Sequence, residues 1–406
     1  MSAWLDALER RSPQSRIVPG LERVATVAER LAIGPGRRPV ITIGGTNGKG
    51  SVVAMCESML VAAGHRPLAY TSPHVHAFAE RMRIGGVMAS ESAIVESLEA
   101  VEAARAGVDL TYFEHITLAA MVLGMDSDVD AWLLEVGLGG RLDAVNVVDA
   151  DIAIITSIGL DHADWLGSTR SAIGREKAGI ARAGRPVIVG EPRPPSGLLE
   201  ALHERGARIF RPGRHWAARR RGSCSLRPAA LPGDWQLRNA ACAAAALALL
   251  EERLPVDASA MARGLRGVCL PGRFERFDCG TEVIVDVAHN PHAARGLARM
   301  LEPSEGRSVA VFSALADKDV TGIARPLQHC FDAWFVASSA GDRGQSGQVL
   351  ASRVRRASVT GRVETVESVA AALQRALAEC GQGDRIVVFG SFRTVAEAWP
   401  LIKQHL

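Results

Sequence analysis

The sequence predicts an α/β protein: a mainly parallel sheet domain carrying a phosphate-binding loop, followed by a smaller Rossmann-like α/β domain. Three observations lead there. Short β-branched runs alternate with helix-period segments along most of the chain. A glycine-rich loop joins one such run to a helix. At 406 residues the chain also exceeds the size at which one hydrophobic core keeps growing.

The elements follow in order. Residues 39–43 form a β-branched run, then come glycines, then a periodic segment over residues 51–63, which reads as strand, loop and helix. Strands of the same buried type are expected at residues 130–135, 152–158 and 186–190, and such alternation implies a parallel sheet covered on both faces. Over residues 191–235 the pattern gives way to Pro, Arg and Gly, read as a solvated hairpin region on the sheet edge. Arg211, Arg214, Arg219, Arg220, Arg221 and Arg227 around Trp216 would alternatively offer RNA a basic, aromatic-bearing patch. An alanine-rich helix over residues 236–252 closes the first domain, assigned to residues 1–270 as the nucleotide-binding part. Pro271-Gly272 then punctuates the chain, and residues 271–406 restart the alternation with strands at Glu282–Asp286, Ser308–Phe312, Ala333–Ala337 and Arg385–Phe389.

Composition narrows the class. The chain is 48% hydrophobic and 22% charged, an ordinary globular balance, and its net charge of +3 is too small for a dedicated nucleic-acid binder. Seven cysteines, odd in number and without Cys-x-x-Cys spacing, read as free thiols of a reducing compartment. The amino terminus mixes charges with apolar residues, and no apolar run is long enough to span a bilayer. The expectation is a cytoplasmic protein with no membrane and no nucleic-acid partner.

The sharpest chemical signal is Gly44-Gly-Thr-Asn-Gly-Lys-Gly-Ser51. Glycines let backbone N–H groups approach phosphates, the helix amino terminus adds partial positive charge, Lys49 neutralises terminal phosphates, and the Ser51 hydroxyl can reach Mg2+. ATP is the expected ligand. A glycine separates Lys49 from Ser51, so this is not the usual GTPase loop. Glu135 ends an apolar strand, where a carboxylate can hold a hard cation beside a triphosphate, although an exposed strand-terminal Glu reads the same way. Asp161-His162 is placed at the end of the 152–158 strand, with the imidazole near the same rim. Lys177 reads from the residues alone as an ordinary helical lysine. In the second domain Asp286-Val-Ala-His-Asn-Pro291, Ser313-Ala-Leu-Ala-Asp-Lys-Asp319 and Gly390-Ser-Phe392 all follow strands, so three polar loops share one rim.

Taken together, Gly-Thr-Asn-Gly-Lys-Gly-Ser, Ser72-Pro-His, Gly-Gly-Arg-Leu-Asp143, Asp161-His-x-x-x-Leu-Gly-x-Thr169, Glu176-Lys-Ala-Gly-Ile, Gly272-Arg-Phe-Glu275, Ala-His-Asn-Pro291, Asp-Lys-Asp319 and Gly-Ser-Phe392 resemble the folylpolyglutamate synthase/dihydrofolate synthase family of the Mur ligase superfamily. The resemblance implies an ATP-dependent carboxylate-amine ligase of folate biosynthesis. It would add L-glutamate to dihydropteroate, and further glutamates to reduced folates, through an acyl phosphate; a related Mur-type amino-acid ligase with another carboxylate substrate is the alternative. It also implies that Asn47, Gly48, Lys49, Gly50, Ser51, Asn239, Arg273 and Asp286 bind ATP, and that Ser51, Ser72, Glu135 and His162 hold one or two Mg2+ ions. Lys49, His162 and Lys177 carry the catalysis in that reading, with Lys177 modified to a carbamate. The pterin would meet Thr111, Tyr112, Phe113, Glu114, Leu142, Asp143 and Ala144, the aromatic face of Phe113 being suited to stacking as well as to plain core packing. His289 and Ser391 are the candidates for the glutamate end, and a monomer is expected.

Overall fold

The computed structural model describes residues 1–211 and 231–406, and these form two compact units. The first comprises Met1–Gly159, the described part of Ala163–Ala230, and Asp234–Cys269; the second comprises Leu160–His162, Leu231–Gly233 and Leu270–Leu406.

The first unit is built on an eight-stranded sheet of order β4-β3-β2-β5-β1-β6-β7-β8. Its strands are β1 (Val40–Gly44), β2 (Pro67–Tyr70), β3 (Met82–Ile84), β4 (Val87–Met88), β5 (Ala131–Glu135), β6 (Ile152–Ile155), β7 (Pro186–Val189) and β8 (Arg208–Phe210). The pairings along β2-β5-β1-β6-β7-β8 are all parallel; β3 runs antiparallel to β2 and pairs antiparallel with β4, forming an edge hairpin. β1 and β5 are buried along their whole length, which explains why they read as unbroken apolar runs instead of alternating ones. The chain leaves β1 toward β2 and later crosses to β6 on the other side, so the order reverses at β1. Ligands of open α/β sheets bind outside the strand carboxyl ends at such a switch point.

Helix α3 (Lys49–Ala62) follows β1, with α10 (Ala258–Gly267) and α9 (Asp234–Leu249) packed against it. The Ser58 hydroxyl donates to Gly264 O at 2.8 Å. A Cβ at Gly264 would lie 2.5 Å from the Met59 Cα, so the two helices touch backbone to backbone. The amino-terminal helices α1 (Ser2–Arg11) and α2 (Glu22–Arg30) pack with α4 (Glu91–Arg105) and α5 (Tyr112–Asp126). Buried His115 anchors α1: Arg11 donates to its Nδ1 at 3.1 Å, and its Nε2 lies 3.1 Å from Leu98 O, so the ring is the neutral Nε2–H tautomer.

The second unit holds a six-stranded sheet of order β13-β12-β11-β14-β10-β9. Its strands are β9 (Arg273–Asp278), β10 (Glu282–Asp286), β11 (Ser308–Phe312), β12 (Ala333–Ala337), β13 (Arg362–Val366) and β14 (Arg385–Phe389), all parallel except β9. Helices α11 (Pro291–Met300), α12 (Val320–Ala324), α13 (Gly347–Arg355), α14 (Val369–Glu379) and α15 (Phe392–Gln404) complete it. The core gathers Phe312, Phe331, Trp334 and Phe389. Because β11, β14 and β10 are parallel neighbours, the three polar loops that follow them do share one rim.

Some expectations from the sequence are corrected. The strand expected over residues 152–158 ends at Ile155, because the side chains of Thr156 and Ser157 turn to bond the loop after β1. Asp161 and His162 therefore do not end a strand, and they group with the second unit. Residues 191–235 do not begin as a hairpin. They supply α8 (Ser196–Glu204), which buries Leu198, Ala201 and Leu202, and then β8, a parallel edge strand. Arg211 is exposed beyond β8; Arg214, Arg219, Arg220, Arg221, Arg227 and Trp216 lie outside the described residues. Among the described residues no helix is long and apolar enough to cross a membrane.

Burial lowers the His115 pKa from its ordinary 6.5 to about 4, and nearby Arg11 adds to the shift. A depressed folded-state value means stability that is complete above pH 6.5 and drains away as pH falls toward 4. Urea titrations of the wild type should lose on the order of 3 kcal/mol from this group over that range, a loss absent from His115→Gln.

Candidate active site

The loop from β1 into α3 is held from beside by the residues after β6. Thr46 N donates to Ser157 O at 2.8 Å and Asn47 N to Ser157 Oγ at 3.0 Å. Thr156 Oγ1 and Ser157 Oγ return donors to Asn47 O at 2.7 and 3.0 Å. At Gly45 (φ 145°) any Cβ would run into Thr156 Oγ1, so only glycine fits. Gly48 begins α3 at φ 88° with no side-chain cap, and a Cβ there would lie 2.9 Å from Asn239 Oδ1. The first turn of a helix has N–H groups without intrahelical acceptors, so Lys49, Gly50 and Ser51 present theirs as an anion-binding end.

Two lysines meet at this loop. Lys49 Nζ donates to Gly45 O at 3.3 Å and Thr46 O at 3.4 Å. Lys177, at the end of α7 (Arg170–Lys177), is 4% exposed and donates to the same Gly45 O at 3.0 Å. Far from being an ordinary surface lysine, it is buried beneath the loop.

Other expected residues line the same rim. Register sets Ile43 beside Glu135 and Tyr70 beside Leu134, so the segments after β1, β2 and β5 leave the sheet together. Glu135 is buried and its Oε2 accepts Ser72 N–H at 3.1 Å. Asp143 accepts Leu138 N–H at 2.8 Å and Val145 N–H at 3.1 Å, closing the loop that bears Leu142 and Ala144. Burial lifts its pKa to about 6, against those hydrogen bonds and the nearby Lys49 charge. Phe113 sits over this loop, where a Cβ on Gly137 would lie 2.5 Å from its ring. Thr111 and Glu114, by contrast, spend their side chains on a reciprocal cap of α5, and Glu114 is paired with Arg23 at 2.7 Å. Tyr112 is buried, its N–H donating to Ser12 Oγ at 3.2 Å.

The second unit gathers its own cluster. Arg273 lies over the Phe392 ring at 5.0 Å, and the His289 ring is tilted against the same ring with centroids 6.0 Å apart. Asp286 accepts N–H groups from Phe274 at 2.9 Å and Ala288 at 2.8 Å; burial raises its pKa while Arg273 opposes the rise. The Ser391 hydroxyl caps α15 through Thr394 N–H at 3.0 Å. Asp161 takes Lys318 Nζ at 2.8 Å and Asn290 Nδ2 at 2.9 Å. Burial works against its ionisation, yet His289, Lys318 and His162 hold its carboxyl well below the usual range. Burial and Lys318 lower the His162 pKa to about 4, leaving the imidazole neutral near pH 7.

Sequence reasoning missed Gln236, whose Nε2 reaches Ser51 Oγ at 3.4 Å and whose Oε1 accepts from Asn239 Nδ2 at 2.8 Å. The signal was available in the i, i+3 spacing of Gln236 and Asn239, which puts both on one helix face. Lys318, within the Asp-Lys-Asp319 motif, is 8% exposed and central to its cluster.

Residues 43–189 match the Mur ligase middle domain, and residues 272–392 match the Mur ligase glutamate ligase domain. Dihydrofolate synthase/folylpolyglutamate synthase of Escherichia coli K12 is 42% identical over 412 residues, covering 99% of this chain and 95% of the relative. Among solved structures, E. coli FolC in complex with DHPP and ADP superposes with a TM-score of 0.87 at 39% identity, covering 99% of this chain and 97% of the other. A bifunctional folylpolyglutamate synthase/dihydrofolate synthase with Mn, AMPPNP and L-glutamate bound gives 0.86 at 39% identity, covering 100% and 98%. The chain belongs to the dihydrofolate synthase/folylpolyglutamate synthase family of Mur ligases.

Asp143→Ala would strand the Leu138 and Val145 N–H donors in the interior. It should destabilise the protein by about 2–4 kcal/mol, read as a lower denaturation midpoint with an unchanged m-value.

Proposed function

We infer that this protein is an ATP-dependent ligase of folate biosynthesis that joins L-glutamate to dihydropteroate and to reduced folates. The observation carrying this reading is the helix end at Lys49, Gly50 and Ser51, held open beside Glu135 and Ser72 on the switch-point rim of a Mur ligase fold.

In this reading Asn47, Gly48, Lys49, Gly50 and Ser51 bind the phosphates of ATP, and Asn239, packed against Gly48, borders the nucleotide. Arg273 and Asp286 of the second unit are assigned to the nucleotide as well. The donor set fits a hard divalent cation. The Ser51 hydroxyl, Ser72 and the Glu135 carboxylate are oxygen donors of the kind Mg2+ accepts together with phosphates, with His162 as a neutral nitrogen donor. Bound there, Mg2+ would offset charge on the phosphate oxygens.

The substrate carboxylate attacks the γ-phosphorus of ATP, the bond to the β-phosphate oxygen breaks, and ADP leaves. Lys49 moves its ammonium from backbone carbonyls to the phosphate oxygens, where charge accumulates during transfer. The amine of L-glutamate then attacks the acyl phosphate carbon, loses a proton, and displaces inorganic phosphate to leave an amide. Phe113 and the Leu142, Asp143 and Ala144 loop are assigned to the pterin. Thr111, Tyr112 and Glu114 fix the helix that presents Phe113. His289 is assigned to the glutamate, with Ser391 holding the helix end beside it.

Lys177 is proposed to act as a carbamate. Its neutral amine adds to carbon dioxide, forming an N–C bond and releasing a proton, and the product is a negative group under the phosphate loop. Burial of Nζ beside Gly45 O and Gly139 O supports this, since a carbonyl acceptor is in place for the remaining N–H. The reaction is assigned to the cytoplasm, by a monomer.

Protein incubated with ATP, Mg2+, L-glutamate and dihydropteroate, then with tetrahydrofolate in its place, should yield products heavier by one glutamyl group, together with ADP. Absence of a glutamylated product from both pterins overturns the assignment. Lys49→Ala should lower kcat by at least about a thousandfold with the melting temperature retained. Growth of a carbamate signal from 13C-bicarbonate in wild type but not in Lys177→Ala tests the modification.

A further inference from the structure

The candidate metal donors in the first unit come from three separate segments: Ser51 from α3, Ser72 from the turn after β2, and Glu135 from the end of β5. Nothing in a parallel sheet fixes a turn that lies beyond its strands. Such a turn needs side chains to shape it and to tie it to its neighbours.

Glu80 shapes it. Its Oε1 accepts His76 and Ala77 N–H, both at 2.7 Å, and its Oε2 accepts Val75 N–H at 2.8 Å. Three successive amides thus converge on one carboxylate and set the backbone that begins at Ser72. Arg83 supplies the tie. Its Nε bonds both Glu57 carboxylate oxygens, at 3.1 and 3.0 Å, and its NH2 bonds Oε2 at 2.8 Å. Its NH1 bonds Glu80 O at 2.6 Å and Thr71 Oγ1 at 3.2 Å. Glu57 stands on α3, the helix that carries Ser51, and Thr71 immediately precedes Ser72.

A stabilising ion pair alone does not account for this arrangement. The Arg83 and Glu57 side chains are only 15% and 7% exposed, and a buried pair gains little over apolar side chains of equal volume. The fork instead joins two segments, its separate Nε, NH1 and NH2 donors fixing both sets of bonds in one planar geometry that the rotating ammonium of a lysine does not impose.

We propose that Glu80 and Arg83 are positioning residues for the divalent cation, Glu80 shaping the turn at Ser72 and Arg83 locking that turn to the helix bearing Ser51. The proposal rests on the assignment of Ser51, Ser72 and Glu135 to the cation. It adds that the affinity of the site depends on two residues that do not touch the ion.

The test uses Glu80→Gln, which removes one carboxylate oxygen at a half-exposed position, and the double variant Glu57→Leu/Arg83→Met, which deletes the fork without stranding a buried charge. Hydrogen exchange of the metal-free full chain should show Val75, His76 and Ala77 amides exchanging at least about tenfold faster in Glu80→Gln. Mn2+ binding in the presence of AMPPNP, followed by electron paramagnetic resonance, should weaken about tenfold in both variants, while KM for L-glutamate stays within about twofold. Wild-type Mn2+ affinity in Glu80→Gln overturns the proposal, even if that variant melts at a lower temperature. Should the double variant fail to fold, the Glu80→Gln result decides. Glu135→Gln is the control: if it binds Mn2+ as wild type does, the cation assignment itself fails; if it loses Mn2+ while Glu80→Gln does not, only the positioning role is lost.

Discussion

The close contact between the turn after β1 and the two hydroxyl side chains after β6 is the constraint around which the first unit's site is arranged. Thr156 and Ser157 both bond Asn47 O, and Thr156 occupies the space that a side chain at position 45 would need. Parallel pairing of β1 with β6, with Gly44 beside Ile155, puts those hydroxyls alongside the turn. The turn is therefore shaped from outside itself, and the helix end at Lys49 can stay open because its bonds are not needed for the fold.

Gly45 O extends that logic. It accepts both Lys49 and Lys177, so one carbonyl relates the phosphate loop to a helix more than a hundred residues further along the chain. Glu135 does similar work for the turn after β2, and Asp143 for the loop after β5, by accepting backbone N–H groups. Buried polar groups of this kind are tolerated because each is satisfied, and the geometry that satisfies them also fixes where the charges lie.

Much of the fold was legible because central parallel strands are buried on both faces. β1, β5, β11, β12 and β14 are buried throughout and read as plain apolar runs. The edges were not legible. β9 reads Arg-Phe-Glu-Arg-Phe-Asp and β13 reads Arg-Val-Glu-Thr-Val, half-exposed patterns whose charges mask the strand, and β8 is three residues long behind a proline-rich opening. For the candidate site, the loop from Gly44 to Ser51 announced itself because its glycines, lysine and serine between a strand and a helix form a local pattern. Lys177 did not, since its burial depends on contacts with Gly45 and Gly139. Gln236 and Arg83 were silent for the same reason.

The sequence by itself determined the alternation of elements, the glycine-rich turn between β1 and α3 and, through motifs kept in order, the family to which the chain belongs. These are properties of local spacing and of side-chain types. Only the tertiary structure decided that Asp161 and His162 leave the strand they were expected to end, that Thr111 and Glu114 serve as a helix cap, and that Glu57, Glu80 and Arg83 join the turn after β2 to α3. Each of those depends on which distant backbone lies within hydrogen-bonding reach, and that is fixed by strand order and register, not by the spacing of neighbours along the chain.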